Sequence, residues 1–148
     1  MKWLLDTNVL SETIRARPAP SVSSWIVSQR WADLSISIVT LAEIREGIET
    51  SADEEKRRDL ANWLEADIII PFSDRTLPVD LAVLLDWIRI SKALAQRQIT
   101  RPATDLLLAA TARIHDLIVV TRNTRDFANT GITVYNPWTD ETHKMEAP

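Results

Sequence analysis

The chain has 148 residues, enough for one domain that buries a sizeable core. It has no cysteine and only two histidines, which excludes disulfides, thiolate chemistry and a histidine-rich zinc site. Two glycines leave no Gly-rich phosphate loop, and a net charge of −4 means that any nucleic-acid role needs the excess acid gathered in one cleft with base around it.

Read in chain order, Lys2–Leu5 is expected to be a short buried strand that runs into Asp6. That apolar run is too short for a signal peptide, and no stretch approaches the roughly 18 apolar residues of a membrane span, so a cytoplasmic protein is expected. Ser21–Arg30 reads as a helix with Val22, Trp25 and Ile26 on one face. Leu34–Val39 alternates like a strand and Thr40–Glu49 is helical. Ser51–Glu65 is a highly charged helix opened by Ser51 with Glu54 three residues on. Ile68–Ile70 reads as a strand ended by Pro71, and Pro78–Gln96 as a long helix with proline in its first turn. Ala103–His115 is a helix, Leu117–Val120 a buried strand and Ile132–Val134 a last strand. This alternation predicts an α/β domain over residues 1–138 with a mostly parallel sheet, followed by a polar tail, 139–148. In such sheets ligands bind beyond the carboxyl ends of the strands.

Four acids fall near that edge: Asp6, Glu43, Asp105 and Asp126. Each has an ordinary explanation. Asp6 suits a helix N-cap, Thr40 and Glu43 fit a capping box, Asp105 suits the first turn of a helix dipole, and Asn123 with Asp126 fits a short capped turn. Together, four clustered carboxylates would repel one another unless a cation were present. An all-oxygen ligand set selects Mg²⁺ or Mn²⁺, and one or two such ions can promote phosphodiester hydrolysis.

LLDTNVLSE at Leu4–Glu12, TLAEIREGI at Thr40–Ile48, DLLLAA from Asp105, TRNTRDF at Thr121–Phe127 and the terminal NPW at Asn136–Trp138 resemble the PIN-domain family. Within it the chain is most similar to the VapC-type toxins of the FitB-like subgroup. The resemblance implies a three-layer α/β/α sandwich and a Mg²⁺- or Mn²⁺-dependent ribonuclease, with Asp6, Glu43, Asp105 and Asp126 as its acidic residues. Thr7, Asn8, Thr121 and Asn123 match family positions that orient the carboxylates or water. Arg122 is a candidate RNA contact. So are Arg89 and Lys92, three apart on one face of the long helix, although a solvated helix face is the simpler explanation of that pair. Two glycines common in the family are replaced here, by Thr100 before Arg101–Pro102 and by Asp116 in HDL.

The implied partners are RNA, a second copy of the chain and a small antitoxin. The antitoxin would place a basic side chain among the acids and would carry any DNA contact. Six tryptophans are many for this length, and Trp25, Trp31 and Trp63 are the first candidates for exposed anchors. Two rival readings stand beside this one. A haloacid-dehalogenase-like phosphohydrolase wants a second acid where Asn8 stands. A non-catalytic module of the same fold would have no need of all four acids.

Overall fold

The computed structural model describes Met1–Pro148. Six strands, β1 (Trp3–Leu5), β2 (Leu34–Ser37), β3 (Thr76–Leu77), β4 (Ile118–Val120), β5 (Thr133–Asn136) and β6 (Glu141–Lys144), form one sheet in the order β3-β2-β1-β4-β5-β6. Every neighbouring pair is parallel except β5–β6. The helices are α1 (Thr7–Glu12), α2 (Pro20–Ser28), α3 (Ile38–Glu49), α4 (Glu54–Trp63), α5 (Leu81–Gln96) and α6 (Ala103–His115). No helix is long and apolar enough to cross a membrane.

Strand side chains alternate between two cores, as the period of two requires. Leu4, Val119 and Val134 face α5 and α6, where they join Val83, Ile90, Leu94, Leu106 and Leu108. Trp3, Leu5, Leu34, Ile36 and Val120 face the other way and pack with Val9, Val22, Ile44 and Ile48 from α1 to α3 and with Leu64 just after α4. The result is the expected three-layer α/β/α sandwich. The chain winds outward from β1 in both directions, towards β2 on one side and β4 on the other. The crevice beyond the carboxyl ends of β1 and β4 is therefore the switch point where doubly wound sheets bind ligands.

Several elements differ from the sequence expectation, each for a local reason. The strand β2 ends at Ser37, whose hydroxyl accepts the Val39 N–H at 3.1 Å and starts α3 at Ile38. Thr40 is thus inside α3, and the expected capping box with Glu43 does not form. Helix α4 starts after Asp53 rather than Ser51, because the Asp53 carboxylate accepts the Lys56 N–H at 3.1 Å. Ile68–Ile70 is not a strand. A π-helical turn, Leu64–Ile69, continues α4 and buries Ile68, and the edge strand is Thr76–Leu77 instead. Asp80, not Pro78, opens α5, accepting the Val83 N–H at 3.0 Å. Part of the segment expected to be a polar tail, Glu141–Lys144, pairs with β5 as an exposed edge strand whose charged side chains discourage further strand addition.

Candidate active site

The strand β1 delivers Asp6 directly to the switch point. Its backbone N–H donates to Val120 O at 3.0 Å, which joins the ends of β1 and β4. Asp6 is both the expected cap and more. One carboxylate oxygen accepts the Thr7 N–H at 2.7 Å, starting α1. The other accepts the Thr121 hydroxyl at 2.8 Å and the Asn8 side-chain amide at 3.2 Å. Asn8 Nδ2 also reaches Thr121 Oγ1 at 3.2 Å, and that oxygen in turn accepts the Asn123 N–H at 3.0 Å. Thr7 Oγ1 donates to Glu43 Oε1 at 3.2 Å, linking α1 to α3. Thr7, Asn8 and Thr121 therefore orient carboxylates through their side chains, whereas Asn123 participates through its backbone.

The remaining acids arrive from the other side. Asp105 stands in the first turn of α6, and Asp126 in a short 3-10 turn, Thr124–Phe127, after β4. Neither caps its element: Pro102 and Asn123 occupy the cap positions without a side-chain bond. Electrostatics shows that all four acids share one neighbourhood. Burial raises the Asp105 carboxyl to about 6, and the charges of Asp126, Asp6 and Glu43 add to the rise. Burial likewise raises Asp6, against the hydrogen bonds from Thr121, Thr7 and Asn8, with Asp126 adding to the rise. Glu43 is raised by burial and then by Asp6.

No lysine or arginine forms an ion pair with any of the four. Four hard oxygen donors with no ion-paired base among them fit a divalent cation. Like charges keep apart, and as the side chains stand no group of three could hold an ion among them. The histidines lie elsewhere: His115 ends α6, remote from Asp105 in its first turn, and His143 is on β6.

Other candidate residues are not gathered here. Arg89, Lys92 and Arg122 are exposed, and none of them is among the charges acting on Asp6, Glu43 or Asp105. Arg101 is: it precedes α6 and opposes the rise at Asp105. Arg122 follows Thr121, with its N–H on Asn8 Oδ1 at 3.1 Å. Asn136, marked in the sequence only by its place in NPW, donates its side-chain amide back to the Arg122 carbonyl at 3.4 Å. The NPW motif was the signal. Among the tryptophans, Trp31 is the exposed one, 48% accessible, while Trp25 and Trp63 are half-buried.

Comparison with known proteins places the chain in a family. A family model described as PIN domain matches residues 3–132. The chain is 36% identical over 137 residues to Toxin FitB of Neisseria gonorrhoeae, covering 93% of this chain and 99% of that one. It is 34% identical over 136 residues to VapC ribonuclease Y4jK of Sinorhizobium fredii, covering 91% and 96%. Among solved structures, FitAB bound to an IR36 DNA fragment superposes with a TM-score of 0.86 at 35% identity, covering 95% of this chain and 99% of that one.

Proposed function

The chain belongs to the PIN-domain family, and on that premise we propose that it is a ribonuclease that acts as the toxin of a toxin–antitoxin pair. The observation that carries the reading is the meeting of four carboxylates, from four separate segments, at the switch point with no ion pair to a base.

Asp6, Glu43, Asp105 and Asp126 would hold one or two ions of Mg²⁺ or Mn²⁺, the hard cations that carboxylates select. Such an ion supplies Lewis acidity that activates water and neutralises charge on the leaving oxygen. The chain's own residues prepare the site. Thr121 and Asn8 fix the Asp6 carboxylate in one orientation, and Thr7 holds Glu43 towards it. No imidazole stands at the crevice to serve as a general base.

The partner is a cognate antitoxin. A basic side chain from it among the acids would supply the missing countercharge and exclude RNA, and DNA contact would come through the antitoxin. A second copy of the chain is the other partner. Leu81, Leu84, Leu85 and Ile88 form an exposed apolar stripe on α5, with Leu81 70% accessible, which suits a self-complementary interface. The place of action is the cytoplasm, where the RNA is.

The test is direct. The antitoxin-free chain is incubated with total RNA in Mg²⁺, in Mn²⁺ and in EDTA, beside a folded Asp6→Asn variant. Cleavage is expected only from the parent chain with metal. Cleavage by Asp6→Asn, or in EDTA, would refute the site assignment. A folded chain that cuts no RNA under any of these conditions would refute the ribonuclease reading.

A further inference from the structure

Beside the acids lies a second construction that positioning of the carboxylates does not require. Arg122 follows Thr121 at the end of β4, and its backbone is gripped from both sides. Its N–H donates to Asn8 Oδ1 at 3.1 Å, and its carbonyl accepts from Asn136 Nδ2 at 3.4 Å. The same buried Asn136 accepts the Trp138 N–H through Oδ1 at 2.9 Å, so one amide side chain fixes both residues. The Arg122 guanidinium carbon lies 5.4 Å from the centroid of the Trp138 ring. Trp138 is half-buried against the core that contains Trp3 and Tyr135, whereas Arg122 is exposed and forms no ion pair.

A surface arginine is ordinarily mobile, and holding it costs side-chain entropy. Here a cation is laid over an aromatic ring at the rim of the crevice, its backbone tied to Asn8, which also contacts Asp6. A planar guanidinium stacks where an ammonium cannot. Proteins that read single-stranded RNA use such planes to stack splayed bases, which a duplex keeps paired.

We propose that Arg122, placed over the Trp138 ring, is a stacking platform for an unpaired base of the RNA next to the scissile phosphate, with Trp138 its positioning residue. The inference rests on the ribonuclease reading for its choice of RNA. The platform makes the enzyme selective for single-stranded segments and favours a ring at that nucleotide over a bare phosphate contact.

The test measures binding apart from cleavage. A fluorescein-labelled, mixed-sequence single-stranded oligoribonucleotide of about 12 nucleotides, near the span of one single-strand site, is titrated with the full chain carrying Asp105→Asn in Mg²⁺. A blunt RNA duplex of the same length serves as control. Arg122→Ala should weaken single-strand binding about tenfold, as loss of one stacked base does. Arg122→Lys should be nearly as weak despite its charge. Trp138→Leu should match them, Trp138→Phe should restore binding, and Trp138→Leu should add nothing in the Arg122→Ala background. Duplex binding should not move. Full binding by Arg122→Lys would reduce the residue to a phosphate contact and overturn the platform. An additive loss from Trp138→Leu would make Trp138 merely structural, and no binding of the single strand by the parent would overturn the proposal outright. Cleavage of total RNA is scored separately. Intact cleavage with intact Arg122→Lys binding sinks the platform alone, and absent cleavage with stacking-dependent binding sinks the nuclease reading alone.

Discussion

Replacing Asp105 with asparagine should stabilise the metal-free chain at neutral pH. Burial and three neighbouring acids raise this carboxyl from 3.8 to about 6, so the folded chain holds its proton more tightly than the unfolded chain does. By linkage that difference is worth about 3 kcal/mol. Asp105 is only half-buried, so solvent screening reduces the figure to about 1–2 kcal/mol. Below the unfolded value both states are protonated and no penalty exists. As pH rises from 3.8 towards about 6 the unfolded chain loses its proton first and stability falls, and above about 6 the whole penalty is present. Asparagine carries no charge at any pH. In EDTA the variant should therefore melt roughly 2–6 °C above the parent at pH 7.5, and the gap should close at about pH 3. Addition of Mg²⁺ should raise the parent's melting temperature and leave the variant's nearly unchanged, since only the parent keeps the full donor set. Equal melting of the two proteins at pH 7.5, or a gap that persists undiminished at about pH 3, would refute the argument that charge crowding at this carboxylate strains the metal-free fold.

Three further outcomes follow from single contacts. Thr121→Val removes the donor to Asp6 and the acceptor of Asn123, so metal-dependent cleavage should fall about 10–100-fold with the circular dichroism spectrum unchanged; undiminished cleavage would remove Thr121 from the site. Asp116 ends α6 in the left-handed region at φ 53° and ψ 50°, so Asp116→Gly should stabilise the chain by about 1 kcal/mol in urea titration. Leu85→Lys places a charge in the exposed stripe of α5 and should shift the chain to a monomer in light scattering, and a dimer that survives it uses another face.

Much of the fold was legible because its elements announce themselves locally. Helix α6 has the expected bounds, since an apolar helical run sits between Pro102 and a left-handed Asp116. The replacement of glycine by aspartate there leaves the turn geometry that glycine favours, because Asp tolerates positive φ better than most residues. The failures were of two physical kinds. Ile68–Ile70 is a run of three apolar residues, too short for periodicity to separate strand from helix, and the π-helical turn that buries Ile68 depends on tertiary packing. The Asn136 clamp on Arg122 spans 14 residues and depends on β4 and β5 lying side by side, which no local pattern encodes.

The acids show why motif reading alone stalls at the site. In a parallel α/β sheet, helices following strands start at the carboxyl edge, the same edge where ligands bind. Acids that would cap helices and acids that would hold a cation are thus drawn to the same positions, and sequence cannot tell them apart one by one. Geometry separates them by asking what each carboxylate accepts. Asp6 caps α1 and still offers its second oxygen to Thr121 and Asn8. Glu43 looked like half of a capping box because Ser37 and Thr40 are both good caps. The helix chose Ser37, three residues earlier, which leaves Glu43 bonded only to the Thr7 hydroxyl. Asp105 and Asp126 stand at element starts and cap nothing. A carboxylate that caps has its charge met by backbone N–H groups; these three do not, and their charge remains for something outside the chain to neutralise.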